Sequence, residues 1–231
     1  MIHIQFGGPA WQRHYDPENL SDTDRVRLSA PRAPRAEKDW QVSRSIAAEL
    51  RRATGADRHA PLALSHSRGH ALAAIAPASV VLAVDLERCR PRDTEAIARW
   101  VCTPEERAAL LSEIDPARRL EDFYVLWTLK ESLLKAARLP FPAGMAKVGL
   151  TYTGASAAVL RVPEGQWQAR VYRLPEDWVA AVAWQMDVDA RETVTDAMQT
   201  DGVHWLQPAL PGLLGHWRTP PRPLISSSES R

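Results

Sequence analysis

Phe123-Tyr-Val-Leu-Trp-Thr-Leu-Lys-Glu-Ser-Leu-Leu-Lys135 mixes strong helix formers and large apolar residues with a Lys-Glu pair and a second lysine. On a helix, Glu131 and Lys135 are four residues apart and share a face, with Phe123, Trp127 and Leu134 close by as packing residues. A carboxylate beside an ammonium is thereby held against a core; the plainer reading is a surface ion pair on an amphipathic helix. Outward from this stretch, the helix is expected over Pro116–Arg138, followed by apolar runs near 147–152, 156–162, 167–174 and 178–186. Upstream, a helix near Lys38–Ala53 precedes apolar runs at 62–66, 70–76 and 80–84. Helix followed by antiparallel strands thus occurs twice, which predicts an α+β fold with a pseudo-duplicated order of elements, although no residues repeat at a fixed period.

Two further constellations carry possible chemistry. Val80-Val-Leu-Ala-Val84 reads as a buried strand that ends in Asp85-Leu86-Glu87, and strand alternation sends Asp85 and Glu87 to one side and Leu86 to the other. Two carboxylates converging there repel unless a cation lies between them, and hard oxygen donors suit Mg²⁺. A strand end that merely solvates its charges is the bland alternative. Leu62-Ala-Leu-Ser-His-Ser67, Arg68-Gly69 and His70-Ala-Leu-Ala-Ala-Ile-Ala76 read as a hairpin, with Ser65, His66 and Ser67 at the end of its first strand. Hydroxyls and an imidazole can donate to a phosphate there, although an isolated histidine is more often a structural hydrogen-bonder.

Composition narrows the class. A chain of 231 residues can bury a substantial core as one large domain or two small lobes. Charged residues make up 25% and the net charge is +1, so no basic field argues for nucleic acid. The apolar stretches are too short to span a bilayer, and Met1-Ile-His-Ile-Gln-Phe6 alternates like a strand instead of resembling a signal peptide. Two cysteines, Cys89 and Cys102, have neither metal-ligand spacing nor a disulfide pattern, which fits a reduced, cytoplasmic setting. Arg88 to Arg92 reads as the connection between the halves, followed by helices near Asp93–Val101 and Pro104–Ile114. Thr103-Pro104-Glu105-Glu106 offers an N-cap, a proline at the first helical position and early acids. Beyond Asp187 the chain becomes a Pro-rich tail. In it Trp205, Leu210, Leu213, Leu214 and Trp217 are apolar enough to pack back on the body, while Ser226-Ser-Ser-Glu-Ser-Arg231 is expected to be disordered.

The order of these pieces resembles a known family. Ser65-His66-Ser67, then Ala83-Val84-Asp85-Leu86-Glu87, then Trp127-Thr-Leu-Lys130-Glu131-Ser-Leu-Leu-Lys135-Ala136 is similar to the 4′-phosphopantetheinyl transferases of the surfactin type, over residues 62 to 136. The resemblance implies two α+β lobes, each a helix on an antiparallel sheet, with the active site at their interface: residues 1–90, residues 91–187, and a tail from 188 to 231. It implies transfer of the phosphopantetheine arm of coenzyme A to a serine of an acyl, polyketide or peptidyl carrier protein, releasing adenosine 3′,5′-bisphosphate. Asp85, Glu87 and Glu131 are then expected to hold Mg²⁺, with Mn²⁺ an equivalent by its oxygen preference. Glu131 and Lys135 act in catalysis, Lys135 meets the diphosphate, Ser65 and His66 meet the phosphates, and Arg44 in Trp40-Gln-Val-Ser-Arg44 meets the adenine nucleotide. Glu106, or its neighbour Glu105, aligns with a further acid near the metal. Arg32, Arg35 and Lys38 are candidates for the 3′-phosphate, and Arg118, Arg119 and Arg138 for an acidic carrier surface. A single chain is expected to suffice as a monomer. The alternative is a coenzyme A or nucleotide-binding module of the same fold without turnover. After Lys135-Ala136, Ala137-Arg138-Leu139-Pro140-Phe141-Pro142 departs from the glycine turn usual in the family.

Overall fold

One long helix lies on each of two mostly antiparallel four-stranded sheets that pack face to face, and a third, two-stranded sheet stands beside them. The computed structural model describes residues 1–57, 60–154, 157–186, 202–207 and 210–220. Strand β1 (Ile2–Gly7) leads through two short 3-10 turns and α1 (Asp22–Val26) to the long helix α2 (Pro34–Thr54). Then come the hairpin β2 (Leu62–Ser67) and β3 (His70–Ile75), and β4 (Val80–Arg88). Helices α3 (Thr94–Val101), α4 (Pro104–Ser112) and α5 (Pro116–Ala136) precede β5 (Gly149–Tyr152), β6 (Ala158–Arg161), β7 (Gln168–Leu174) and β8 (Trp178–Met186). Two strands of the tail, β9 (Val203–Trp205) and β10 (Gly212–Arg218), complete the described elements.

Strand alternation explains the layering. On β3, Ala71, Ala73 and Ile75 face α2 through Val42, Ile46 and Leu50, while Leu72 and Ala74 face the other sheet with Ile2 and Ile4 of β1. That first sheet has the order β2-β3-β1-β9, and the second the order β10-β7-β8-β4. Val182, Trp178 and Trp184 of β8 fill the space between the sheets, and Ala181 and Ala183 face α5 with Leu129, Leu133 and Phe123. No described helix is long and apolar enough to cross a membrane.

Two expectations are corrected. Residues 80–84, grouped with the first lobe by their place in the chain, belong to the second sheet: β4 pairs antiparallel with β8 from Val80↔Met186 to Arg88↔Trp178. The turn closed by the Val80 N–H on the Pro77 carbonyl takes the chain from one sheet to the other, so a lobe boundary at residue 90 does not follow the sheets. The tail also supplies strands to both: β9 runs parallel to β1, and β10 antiparallel to β7. Trp205 is buried, and Leu214 and Trp217 pack against the α5 core, but Leu210 and Leu213 remain exposed. A register shift between Leu213 and Gly215 turns Leu214 inward in place of its neighbour. Residues 221–231, including the expected disordered end, lie outside the described residues.

Candidate active site

The site lies where the end of β4 meets α5. Val81 and Ala83 pack toward α5, so the alternation carries Asp85 and Glu87 to the same side, while Leu86 enters the space between the sheets. Helix α5 is started by the Asp115 side chain, which accepts from the Ala117 N–H, with Pro116 at the first turn. Its long apolar stripe then fixes its rotation on β4 and β8. One turn separates Glu131 from Lys135, and the Lys135 Nζ donates to Asp85 Oδ1 at 2.6 Å. Ser65 Oγ, from β2, donates to the same oxygen at 3.2 Å. Three elements from both sheets and α5 thus converge on one buried carboxylate, of which Oδ2 has no hydrogen-bond partner.

Electrostatics ties the neighbouring acids to it. Burial raises the Glu131 pKa, and the Asp85 charge raises it further; Lys135 opposes them, and Glu87 adds to the rise. Glu87 is raised by burial and then by Asp85, against Arg92, Arg90 and Lys135. The three carboxylates therefore feel one another across a partly desolvated space, and two of them hold protons above the ordinary range. Oxygen donors under mutual repulsion, one with an unpartnered buried oxygen, fit a hard divalent cation such as Mg²⁺ or Mn²⁺. Among the described residues, however, no three acidic, imidazole or thiol side chains already stand grouped as a set that could hold a metal ion. The cation beside Asp85 in this arrangement is the ammonium of Lys135, the group expected on a diphosphate.

The other expected residues lie around this centre. His66 is open to solvent at its edge, yet desolvation lowers its pKa; Asp39 opposes that, and Arg44 and Lys135 reinforce it, leaving a neutral imidazole at pH 7. Arg44 lies on α2, where its guanidinium donates to Asp24 Oδ1 at 2.6 Å and Ser43 Oγ at 3.0 Å and stacks on Trp40. Arg35 and Lys38 are exposed, and Arg32 covers Trp40 at 3.8 Å. Arg119 lines a groove of about 660 Å³ between α3, α4 and α5, together with Arg92, Arg99 and Arg107 over a floor that includes Leu110 and Phe123. Arg118 is exposed beside Asp115, and Arg138 borders a separate cavity at the far end of α5.

Glu106 is not placed to serve a metal. Its side chain is fully buried, and both oxygens are spent: Oε2 accepts from Lys130 Nζ at 2.8 Å and the Thr103 N–H at 2.9 Å, and Oε1 from the Leu150 N–H and Arg161 at 2.9 Å. Glu105 is exposed. The N-cap role expected of Thr103 holds, since its Oγ1 accepts from the Glu106 N–H to complete a capping box. Lys130 itself, fully buried between Glu106 and the Val148 carbonyl, has no role in the sequence reading. Its signal was present: a lysine at the centre of the apolar stripe Leu126, Lys130, Leu133, Leu134 requires a buried acid somewhere else in the chain.

Residues 81–183 match the family model described as ACPS: 4′-phosphopantetheinyl transferase superfamily. The matched stretch runs from β4 to β8 and contains Asp85, Glu87, Glu106, Lys130, Glu131 and Lys135. No curated protein matches the chain.

Proposed function

We propose that the chain transfers the 4′-phosphopantetheine arm of coenzyme A to a serine hydroxyl of an apo carrier protein, in a reaction dependent on Mg²⁺ or Mn²⁺. The observation that carries this reading is the convergence of Asp85, Glu131 and Lys135 at the β4–α5 contact, inside the stretch that matches the transferase family model. Asp85, Glu87 and Glu131 would hold the cation, which when bound supplies charge neutralisation on the diphosphate.

Each side chain has a physical task. Lys135 shifts its ammonium from Asp85 toward the phosphates of coenzyme A, where it offsets charge on the transferring group. Glu131, raised by its surroundings, accepts the proton of the attacking serine hydroxyl, directly or through a water. The new bond joins serine oxygen to the β-phosphorus, the bond from that phosphorus to the bridging oxygen breaks, and adenosine 3′,5′-bisphosphate departs. Ser65 orients Asp85, and the neutral imidazole of His66 donates to phosphate. The arginine-rimmed groove that includes Arg119 lies beside Phe123 on the same helix, and its charge suits an acidic carrier helix bearing apolar side chains. One chain contributes every residue named, so a monomer suffices.

Incubation with an apo carrier protein, coenzyme A and Mg²⁺, followed by weighing the carrier, tests the reading. A mass gain of one phosphopantetheine arm supports it. Coenzyme A binding without that gain supports a binding module instead, and neither result leaves a structural role.

A further inference from the structure

Two histidines from distant parts of the chain stand on the face of the first sheet that is turned away from the second. Ile2 and Ile4 of β1, with Val203 and Trp205 of β9, point into the space between the sheets. Alternation therefore sends His3 and His204 to the other face, where the parallel register sets them side by side. Their ring centres are 5.5 Å apart and the ring planes meet at 76°. His204 is exposed and His3 half-buried, so the pair is open to solvent on one side. His3 Nδ1 is buried without a hydrogen-bond partner, and Gln5, next on the same face of β1 and only 8% exposed, has an unpartnered Oε1. Burial lowers the His3 pKa and the charge of His204 lowers it further, which keeps that ring neutral at pH 7, the form that ligates metals. The transfer chemistry at Asp85 uses none of these groups.

We infer that His3 and His204 form a two-imidazole site for a borderline divalent cation such as Zn²⁺, and that the bound ion fastens the tail strand β9 to β1. A cation about 2.0–2.1 Å from one nitrogen of each ring, with a tetrahedral angle between them, sets the ring centres roughly 5 Å apart. The observed spacing therefore needs only a turn of the exposed His204 ring, with the backbone left in register. Among the described residues no third imidazole, thiol or carboxylate completes a set, so water fills the remaining positions. A metal-bound water brings a strong donor to the side of β1 where Gln5 Oε1 has none. Donor type separates this site from the acids of β4 and α5: imidazole suits Zn²⁺, whereas carboxylates and water suit Mg²⁺ and Mn²⁺. The consequence is structural. Strand β9 has three residues, flanked by bonds from the Ile2 N–H to the Gly202 carbonyl and from the Leu206 N–H to the Ile4 carbonyl at 3.0 Å. A clip between strands so far apart in sequence closes a long loop, where such links stabilise most. Because β10 carries the same tail to β7, fastening β9 bears on how the tail is held by both sheets.

Calorimetric titration of the full chain with Zn²⁺, in excess Mg²⁺ to keep the carboxylates supplied, tests this without relying on transfer. The comparison is with His204→Ala, whose lost ring is exposed. The native chain is expected to bind one Zn²⁺ that the variant binds at least about tenfold more weakly. Imidazole nitrogen NMR spectra are expected to show His3 and His204 shifting together, and Zn²⁺ to raise the Tm of the native chain but not of the variant. His204→Cys, which returns a zinc ligand to the same position, is expected to recover the binding. Equal Zn²⁺ affinity in the native chain and His204→Ala, no movement of either imidazole, or movement of His3 alone overturns the site. Joint imidazole shifts without a change in Tm overturn the fastening of β9.

Discussion

Consecutive residues of α5 serve opposite ends. Lys130 is sealed against Glu106 with every acceptor oxygen of that carboxylate engaged, whereas Glu131 shares a half-open space with Asp85 and Glu87, where one buried oxygen has no partner at all. Both regions put charge inside a fold. In the first the charges are mutually satisfied and rigid, which gives structure; in the second they are left in excess of their partners, an imbalance that the proposed cation would relieve. A helix turns about 100° per residue, so adjacent positions can point into such different surroundings.

The largest effect expected is on the closed side. Lys130→Met leaves Glu106 buried with fewer partners and is predicted to lower unfolding free energy by ~3–5 kcal/mol, measured by urea denaturation. Lys130→Met with Glu106→Leu is predicted to recover part of that loss, although Arg161 then lacks its acid. Asp85→Ala, on the open side, is predicted to reduce carrier modification by about a hundredfold or more while stability stays near native, since a repelling carboxylate is removed. An equal loss of stability from the two substitutions would erase the distinction between the regions.

The pH response separates them next. A carboxyl raised in the folded state holds its proton more tightly there than in the unfolded chain, so Glu131 and Glu87 disfavour folding once pH climbs above their ordinary value near 4.5. Protonated carboxyls do not ligate cations. Affinity for Mn²⁺ is therefore predicted to rise with pH across the range just above 4.5, and Mn²⁺ to offset the accompanying loss of thermal stability. Thermal melts with and without Mn²⁺ at stepped pH check both. The smallest effect is expected for Lys135→Gln: its side chain is 42% exposed, so stability should change by no more than ~1 kcal/mol, while KM for coenzyme A rises.

Much of the architecture was legible because it follows local pattern. Alternation at the end of the 80–87 strand put Asp85 and Glu87 on one side, and the 3.6-residue stripe in α5 put Glu131 and Lys135 on one face, whereas the hydrogen bonds of Lys135 and Ser65 to Asp85 appear only in the structure. What escaped depends on contacts distant in the chain. No local feature says that β4 leaves the first sheet for β8, or that β9 and β10 return from the tail to pair with β1 and β7. Glu106 has the right type for a metal ligand, but Lys130, the Leu150 N–H and Arg161, 24, 44 and 55 residues away, claim it first.

The most direct test counts divalent ions. Titrating Mn²⁺ into the native chain in the presence of coenzyme A, and into Asp85→Ala under the same conditions, is predicted to give one bound ion per native chain and none at comparable affinity in the variant. Equal Mn²⁺ binding by the two, or full carrier modification in the presence of a chelator, would contradict the claim that Asp85, Glu87 and Glu131 act together on one cation.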